Sequence, residues 1–110
     1  MALDVGTLAS QMLAAALPML KKDAEDAESF AKTEFTKIAQ TIVSIGEQLA
    51  DGQINKEQAD LLLDMQKSAS RTVLLTLQGL ALLAVEAAIN AALNVVKGAV
   101  NIALGFDLIA

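Results

Sequence analysis

The uneven distribution of charge is the feature that most constrains the fold of this chain. Of its 21 charged residues, 17 lie between Lys21 and Arg71. Only four charged residues lie outside that stretch: Asp4, Glu86, Lys97 and Asp107. Two long segments with so little charge need apolar surroundings over most of their surface, supplied either by protein or by lipid.

The chain is expected to form one domain with three regions. Its 110 residues support a single modest core. An apolar arm (1–20) precedes a charged, amphipathic head (21–72), and a second apolar arm (73–110) follows it. Hydrophobic residues make up 55% of the chain, mostly alanine and leucine, with three Phe and no Trp or Tyr. This composition predicts an all-α fold, because alanine and leucine favour helix over strand.

Local signals predict where the first two helices begin and end. Pro18 lacks a backbone N–H and clashes with the preceding turn, so it should break or kink the first helix. We therefore predict a first helix over about 5–17 and a second over about 19–50. Phe30 and Phe35 begin an apolar stripe on the second helix, whose remaining surface is charged.

The only clear turn in the sequence lies at residues 51–55. Asp51 and Gly52 are typical of a helix end, and Asn55 with Gln58 resembles a capping box that opens the next helix. No proline follows, which predicts a third helix from about residue 56 to 104, roughly 70 Å long.

These elements predict a long, kinked, antiparallel helical hairpin of two to three helices. A short turn near residue 53 makes the helices on either side antiparallel neighbours, so that residue i lies near about residue 106 − i. Two arms alone cannot cover both apolar segments. We therefore expect a homo-oligomer, with the chain itself as a partner.

Five polar residues interrupt the second apolar arm at helical spacing. At 100° per residue they fall within a sector of about 80°. They form the polar stripe: Glu86, Asn90, Asn94, Lys97 and Asn101. The stripe could face solvent on a helix otherwise buried in a bundle, face polar helices in a membrane assembly, or line an aqueous lumen.

Glu86 is the most isolated charge in this arm. The hairpin pairing places it beside Leu20, next to Lys21 and Lys22. A Glu86–Lys21 or Glu86–Lys22 ion pair would neutralise it. The alternative is that Glu86 faces water.

Composition argues against several functional classes. The chain has no His and no Cys, which removes the commonest general base, metal ligand and thiol nucleophile. Its glycines are isolated, so it has no phosphate-binding loop. The net charge of −5 argues against nucleic acid as a partner. We therefore expect no enzyme activity, no cofactor, no metal and no small-molecule substrate.

Membrane association is the function that the sequence favours most. Each apolar arm contributes about 20 residues, or roughly 30 Å of helix, which matches the hydrocarbon thickness of a bilayer. Asp4 precedes the first arm and lysines follow it, which is the reverse of a secretory signal. The positive-inside tendency would place the charged head on the cytoplasmic side.

The prediction is a non-enzymatic, self-assembling helical protein that associates with or inserts into membranes, as a pore or a scaffold. Two alternatives remain open. One is a soluble structural subunit of a helical oligomer, tube or filament whose arms form the inter-subunit core. The other is a small interaction module that offers an apolar groove to a partner helix.

Overall fold

Four helices account for most of the chain. The structure is a computed structural model, and it describes residues 3–20, 24–78 and 82–109. The helices are α1 (Val5–Leu20), α2 (Ala24–Ala50), α3 (Lys56–Gln78) and α4 (Leu82–Leu104). The described residues contain no strand, so the all-α prediction is confirmed.

Hydrogen bonds at the helix ends explain most of these boundaries. Asp4 opens α1 by accepting hydrogen bonds from the Thr7 backbone N–H (2.8 Å) and hydroxyl (3.0 Å). Gly52 ends α2 in a Schellman turn, with a backbone φ of +71°. Asn55 and Gln58 open α3 with reciprocal bonds of 2.9 and 2.8 Å, which confirms the predicted capping box.

Pro18 does not end the first helix, and this part of the prediction was wrong. α1 continues through Pro18 to Leu20. The proline lies on the exposed side of the last turn, so its ring meets no neighbouring helix. The backbone hydrogen bond that it removes would have gone to Ala14, which is also exposed, and water can solvate that carbonyl.

The predicted long hairpin is replaced by a bundle of four helices. Residues 56–104 do not form one helix of roughly 70 Å, because the longest dimension of the molecule is 43 Å. The predicted helix is instead divided into α3 and α4. The Thr41 hydroxyl donates to Gln66 Oε1 across α2 and α3 (3.4 Å), which agrees with the predicted antiparallel pairing. The Lys56 ammonium lies 5.4 Å from the Phe106 ring centroid, so α3 and α4 are also antiparallel.

The core joins the two apolar arms within one chain. α1 packs against both α2 and α4, and α2 packs against α3. α1 contributes one residue per turn: Leu8, Met12, Ala16 and Leu20. α4 contributes seven buried residues: Val85, Ala88, Ile89, Ala92, Leu93, Val96 and Val100. The stripe predicted on α2 is buried from Phe35 to Ile45, whereas Phe30 remains 40% exposed.

Candidate functional site: the α3–α4 groove and the α1–α4 face

A groove separates α3 from α4. These two helices contact each other less than α1 contacts α2 or α4, and less than α2 contacts α3. The volume of the groove is about 640 Å³. Asn90 and Asn94 of the predicted polar stripe line one wall, and Asp60, Asp64 and Lys67 line the other. The predicted stripe therefore has a second polar helix of the same chain beside it.

The α3 wall is itself a polar stripe, and the sequence analysis missed it. Its members are Asp60, Asp64, Lys67 and Arg71, at intervals of four, three and four residues. This spacing places all four on one helix face, within about 60°. The signal was present in the sequence, but treating residues 56–104 as one helix left no partner for it.

The charges of the two stripes complement each other along the groove. Lys67 and Asn90 line the same part of it. One turn further along each antiparallel helix, the sequence places Arg71 on α3 and Glu86 on α4, which are both partly buried. Toward the opposite end, the acidic residues of α3 lie level with the Lys97 region. The lining of the groove itself holds Asp60, Asp64 and Asp107 and one basic residue, Lys67.

Among the described residues, the charges along this groove form few direct contacts. Lys67 lies 3.9 Å from Asp64 on its own helix. The Arg71 Nε is buried, and it has no hydrogen-bond partner in the described parts of the chain. A buried N–H without an acceptor is destabilising by about 1–3 kcal/mol. This cost is consistent with the sparse contact between α3 and α4.

Asn101, the last member of the polar stripe, holds the segment that follows α4. Its Nδ2 donates to the Ile109 carbonyl (2.9 Å), and its Oδ1 accepts from the Ile109 N–H (3.0 Å). Gly105, with a φ of +80°, turns the chain back toward the groove. Leu108 and Ile109 are buried there, and Lys56 lies over Phe106. One carboxamide thus captures both polar groups of a backbone residue.

The predicted ion pair of Glu86 with Lys21 or Lys22 lies outside the described residues, because the two lysines fall in 21–23. Glu86 itself is partly buried. Whether it pairs with a lysine stays a prediction.

Two further polar groups are buried, one on α2 and one on α3. Glu34 is 2% exposed and forms an ion pair with Lys37 on the next turn (3.2 Å). Ser70 is fully buried and accepts a hydrogen bond from Gln66 Nε2 (3.1 Å). Because Gln66 also accepts a hydrogen bond from Thr41, Ser70 and Gln66 link α3 to α2, whereas the Glu34–Lys37 pair lies within α2. They have a structural role.

The outer surface of α1 and α4 is the second distinctive feature. α1 carries no charged residue, and α4 carries only Glu86 and Lys97. Leu83 is 80% exposed but lies at the same angle as Asn101, on the polar stripe. Val95 and Ile102, which lie about 100–120° around α4 from Asn101, are 51% and 84% exposed. We call this surface the α1–α4 face. It is almost uncharged, whereas α2 and α3 carry most of the charge. The exposed residues of α1 include the polar Thr7, Ser10 and Gln11.

One described helix, Leu82–Leu104, is long and apolar enough to cross a membrane, and a third of its apolar window is buried inside the bundle. The described residues hold no group of three or more acidic side chains placed to bind a metal ion.

Comparison with known proteins found no match. No family model, no curated protein and no solved structure resembles this chain. The function must therefore be argued from the groove and the α1–α4 face.

Proposed function

We propose that the protein is a non-enzymatic helical protein that self-assembles through its α1–α4 face and uses the same face to associate with membranes. The observation that carries this proposal is the exposure of Val95 and Ile102 on a surface formed by two nearly uncharged helices. Isolated exposed apolar side chains are common, but a continuous uncharged surface usually marks an interaction site.

The size of the face supports association. α1 and α4 are about 24 and 34 Å long and each about 10 Å wide, so together they offer roughly 600 Å². A stable protein–protein interface buries about 800 Å² on each partner. The face therefore supplies most of the area that a dimer needs. Its apolar side chains would also enter a bilayer at little cost.

The second candidate is a soluble structural subunit of a helical oligomer. The observation that favours it is the burial of both arms against each other within one chain. Helices that bind membrane surfaces usually carry many lysines and arginines on their polar side. In this protein α1 has no lysine or arginine, α4 has one lysine, and the net charge of the chain is −5. Under this candidate, the α1–α4 face meets another copy only.

A charge-insertion experiment tests the proposal. The double variant Val95→Glu/Ile102→Glu places two carboxylates on the face at exposed positions, so the fold should be retained. The matched control is Leu61→Glu/Met65→Glu, whose side chains are 59% and 60% exposed on α3. The measurements are light scattering coupled to size exclusion, and co-flotation with neutral and anionic liposomes.

We expect the wild-type protein and the α3 control to assemble and to float with liposomes, and the Val95→Glu/Ile102→Glu variant to do neither. Assembly without flotation would support the soluble subunit instead. A monomer that leaves liposomes unbound, or a face variant that behaves like the α3 control, contradicts both candidates.

Pore formation is a finer version of the membrane proposal, and it gives the polar stripe a specific role. If the stripe lines a conduit, Asn90→Leu/Asn94→Leu should abolish dye release from liposomes without reducing flotation. Unchanged leakage would exclude these side chains from the conduit.

A further inference from the structure

We infer that the α3–α4 groove binds an extended peptide segment in which basic and apolar residues alternate. This inference does not depend on self-assembly or on membrane association. It rests on how residues 105–109 are held at one end of the groove, and on the apolar floor and acidic rim of the part that they leave open.

The segment after α4 shows how this surface holds a backbone residue. The chain turns at residues 106–108, where the Leu108 N–H donates to the Phe106 carbonyl (3.0 Å), and Ile109 then lies against Asn101. Asn101 bonds both the N–H and the carbonyl of Ile109, at 3.0 and 2.9 Å. The side chains of Leu108 and Ile109 are about 95% buried. The backbone is therefore captured by a carboxamide, while apolar side chains fill the space between the helices.

The same arrangement is repeated further along α4 with nothing bound. Asn94 and Asn90 lie about 20° to either side of Asn101 around the helix axis, roughly 10 and 16 Å along it. Both are exposed and line the groove. An extended chain advances about 3.3 Å per residue, so it would pass Asn94 three residues, and Asn90 five residues, beyond the level of Asn101. Each carboxamide can then bond a backbone residue as Asn101 bonds Ile109.

The floor of the groove selects apolar side chains. Leu63 of α3 and Leu93 of α4 are buried side chains that line the groove. The side chains of an extended chain alternate in direction, so every second residue would point at these leucines. The remaining residues would point toward the rim.

The rim of the groove selects basic side chains. Asp60, Asp64 and Asp107 line it, against a single basic residue, Lys67. Lys67 is already near Asp64, at 3.9 Å. Charge complementarity therefore favours a peptide with lysine or arginine at its outward positions. The volume of about 640 Å³ is typical of a binding cleft.

The test uses two labelled peptides of about eight residues, which span roughly 26 Å when extended. One alternates lysine with leucine, and the other alternates glutamate with leucine. Binding to the full chain is followed by fluorescence anisotropy. The side-chain amide signals of Asn90 and Asn94 are followed by NMR.

Two double variants probe the groove. Asn90→Ala/Asn94→Ala removes the carboxamides at exposed helical positions, so it should fold. Asp60→Asn/Asp64→Asn removes the acidic rim. The matched control for charge is Glu28→Gln/Glu47→Gln, which removes two exposed carboxylates from α2, outside the groove.

We expect saturable binding of the lysine–leucine peptide, with shifts in both asparagine amide signals. The asparagine variant should weaken binding by about tenfold or more, because several backbone hydrogen bonds are lost. The aspartate variant should weaken binding and reduce its salt dependence, whereas the α2 control should bind like the wild type.

Three results would overturn the inference. The first is no saturable binding up to about 1 mM peptide, the weak limit of specific association. The second is equal binding by the asparagine variant. The third is equally tight binding of the glutamate–leucine peptide.

Discussion

Replacing Asn101 by alanine measures how strongly residues 105–109 are held. The substitution removes two hydrogen bonds to Ile109, both in a partly buried setting. Each such bond contributes about 1 kcal/mol net, so their loss should lower the free energy of unfolding by about 2 kcal/mol. Alanine also raises helix propensity by about half a kcal/mol, which opposes the loss.

Asn94→Ala is the matched control. Asn94 lies on the same helix face, is exposed, and should gain the same propensity without losing a contact within the chain. The difference between the two variants therefore isolates the Asn101 contact. At about 2.1 cal/mol/K of unfolding entropy per residue, 2 kcal/mol corresponds to about 9 °C in Tm for this chain.

The assay combines urea and thermal unfolding of both variants, followed by circular dichroism. Amide hydrogen exchange at Ile109 adds a local measurement, since Asn101→Ala should expose that N–H to solvent. A stability difference below about 0.5 kcal/mol, or unchanged protection of Ile109, would refute the reasoning.

Four further predictions concern the helix ends and the glycines. Gly98→Ala should raise the free energy of unfolding by about 0.5–1 kcal/mol, because the position is an exposed helix interior with open space around it. Gly52→Ala should lower the free energy of unfolding by about 1 kcal/mol, because the backbone φ is +71°. If urea titrations show that both glycine variants stabilise the protein, or that both destabilise it, the reasoning is contradicted. Asn55→Ala should cost about 1 kcal/mol in the same titration by removing a helix cap, and no loss would contradict the assigned role. Hydrogen bonds from the Thr7 backbone N–H and hydroxyl lower the pKa of Asp4 below 3.8. The stability from this carboxylate is therefore complete above about pH 4 and is lost as the pH falls through the lowered pKa. The melting temperatures of the wild type and Asp4→Ala should therefore converge in acid. A difference in melting temperature that stays constant with pH would contradict this.

Features set by neighbouring residues were predictable from the sequence. The end of α2 at Gly52 and the capping box of α3 depend on a few residues each, and both were confirmed. The all-α class followed from composition, and the antiparallel pairing of α2 with α3 followed from the short turn.

The division of the predicted long helix was not predictable from local signals. Residues 56–104 contain no proline, and their isolated glycines, Gly79 and Gly98, are each tolerated inside a helix at a cost of about 1 kcal/mol. The chain nevertheless folds back, because a separate α4 can bury Val85, Ile89 and Val96 against the rest of the bundle. Burial of each such side chain contributes about 1.5–3 kcal/mol.

The difference between local sequence signals and contacts made by the fold also explains which parts of the site could be predicted from the sequence. The polar stripe on α4 was identified from its spacing alone, because helix periodicity is a local property. The stripe on α3 becomes its neighbour only because α4 folds back alongside α3. Sequence reasoning therefore left open what the stripe faces, and the structure brings Asn90 and Asn94 to a groove lined by Asp60 and Asp64.

The packing of α1 against α4 also has a consequence for synthesis on the ribosome. About sixty residues separate the end of α1 from the start of α4. At about 5–20 residues per second, α1 waits roughly 4–17 seconds before all of α4 has been made. During that time Leu8, Met12 and Ala16 lack part of the surface that buries them in the finished protein. The nascent chain is therefore most open to capture by a chaperone, a membrane or a second nascent copy before its last helix emerges.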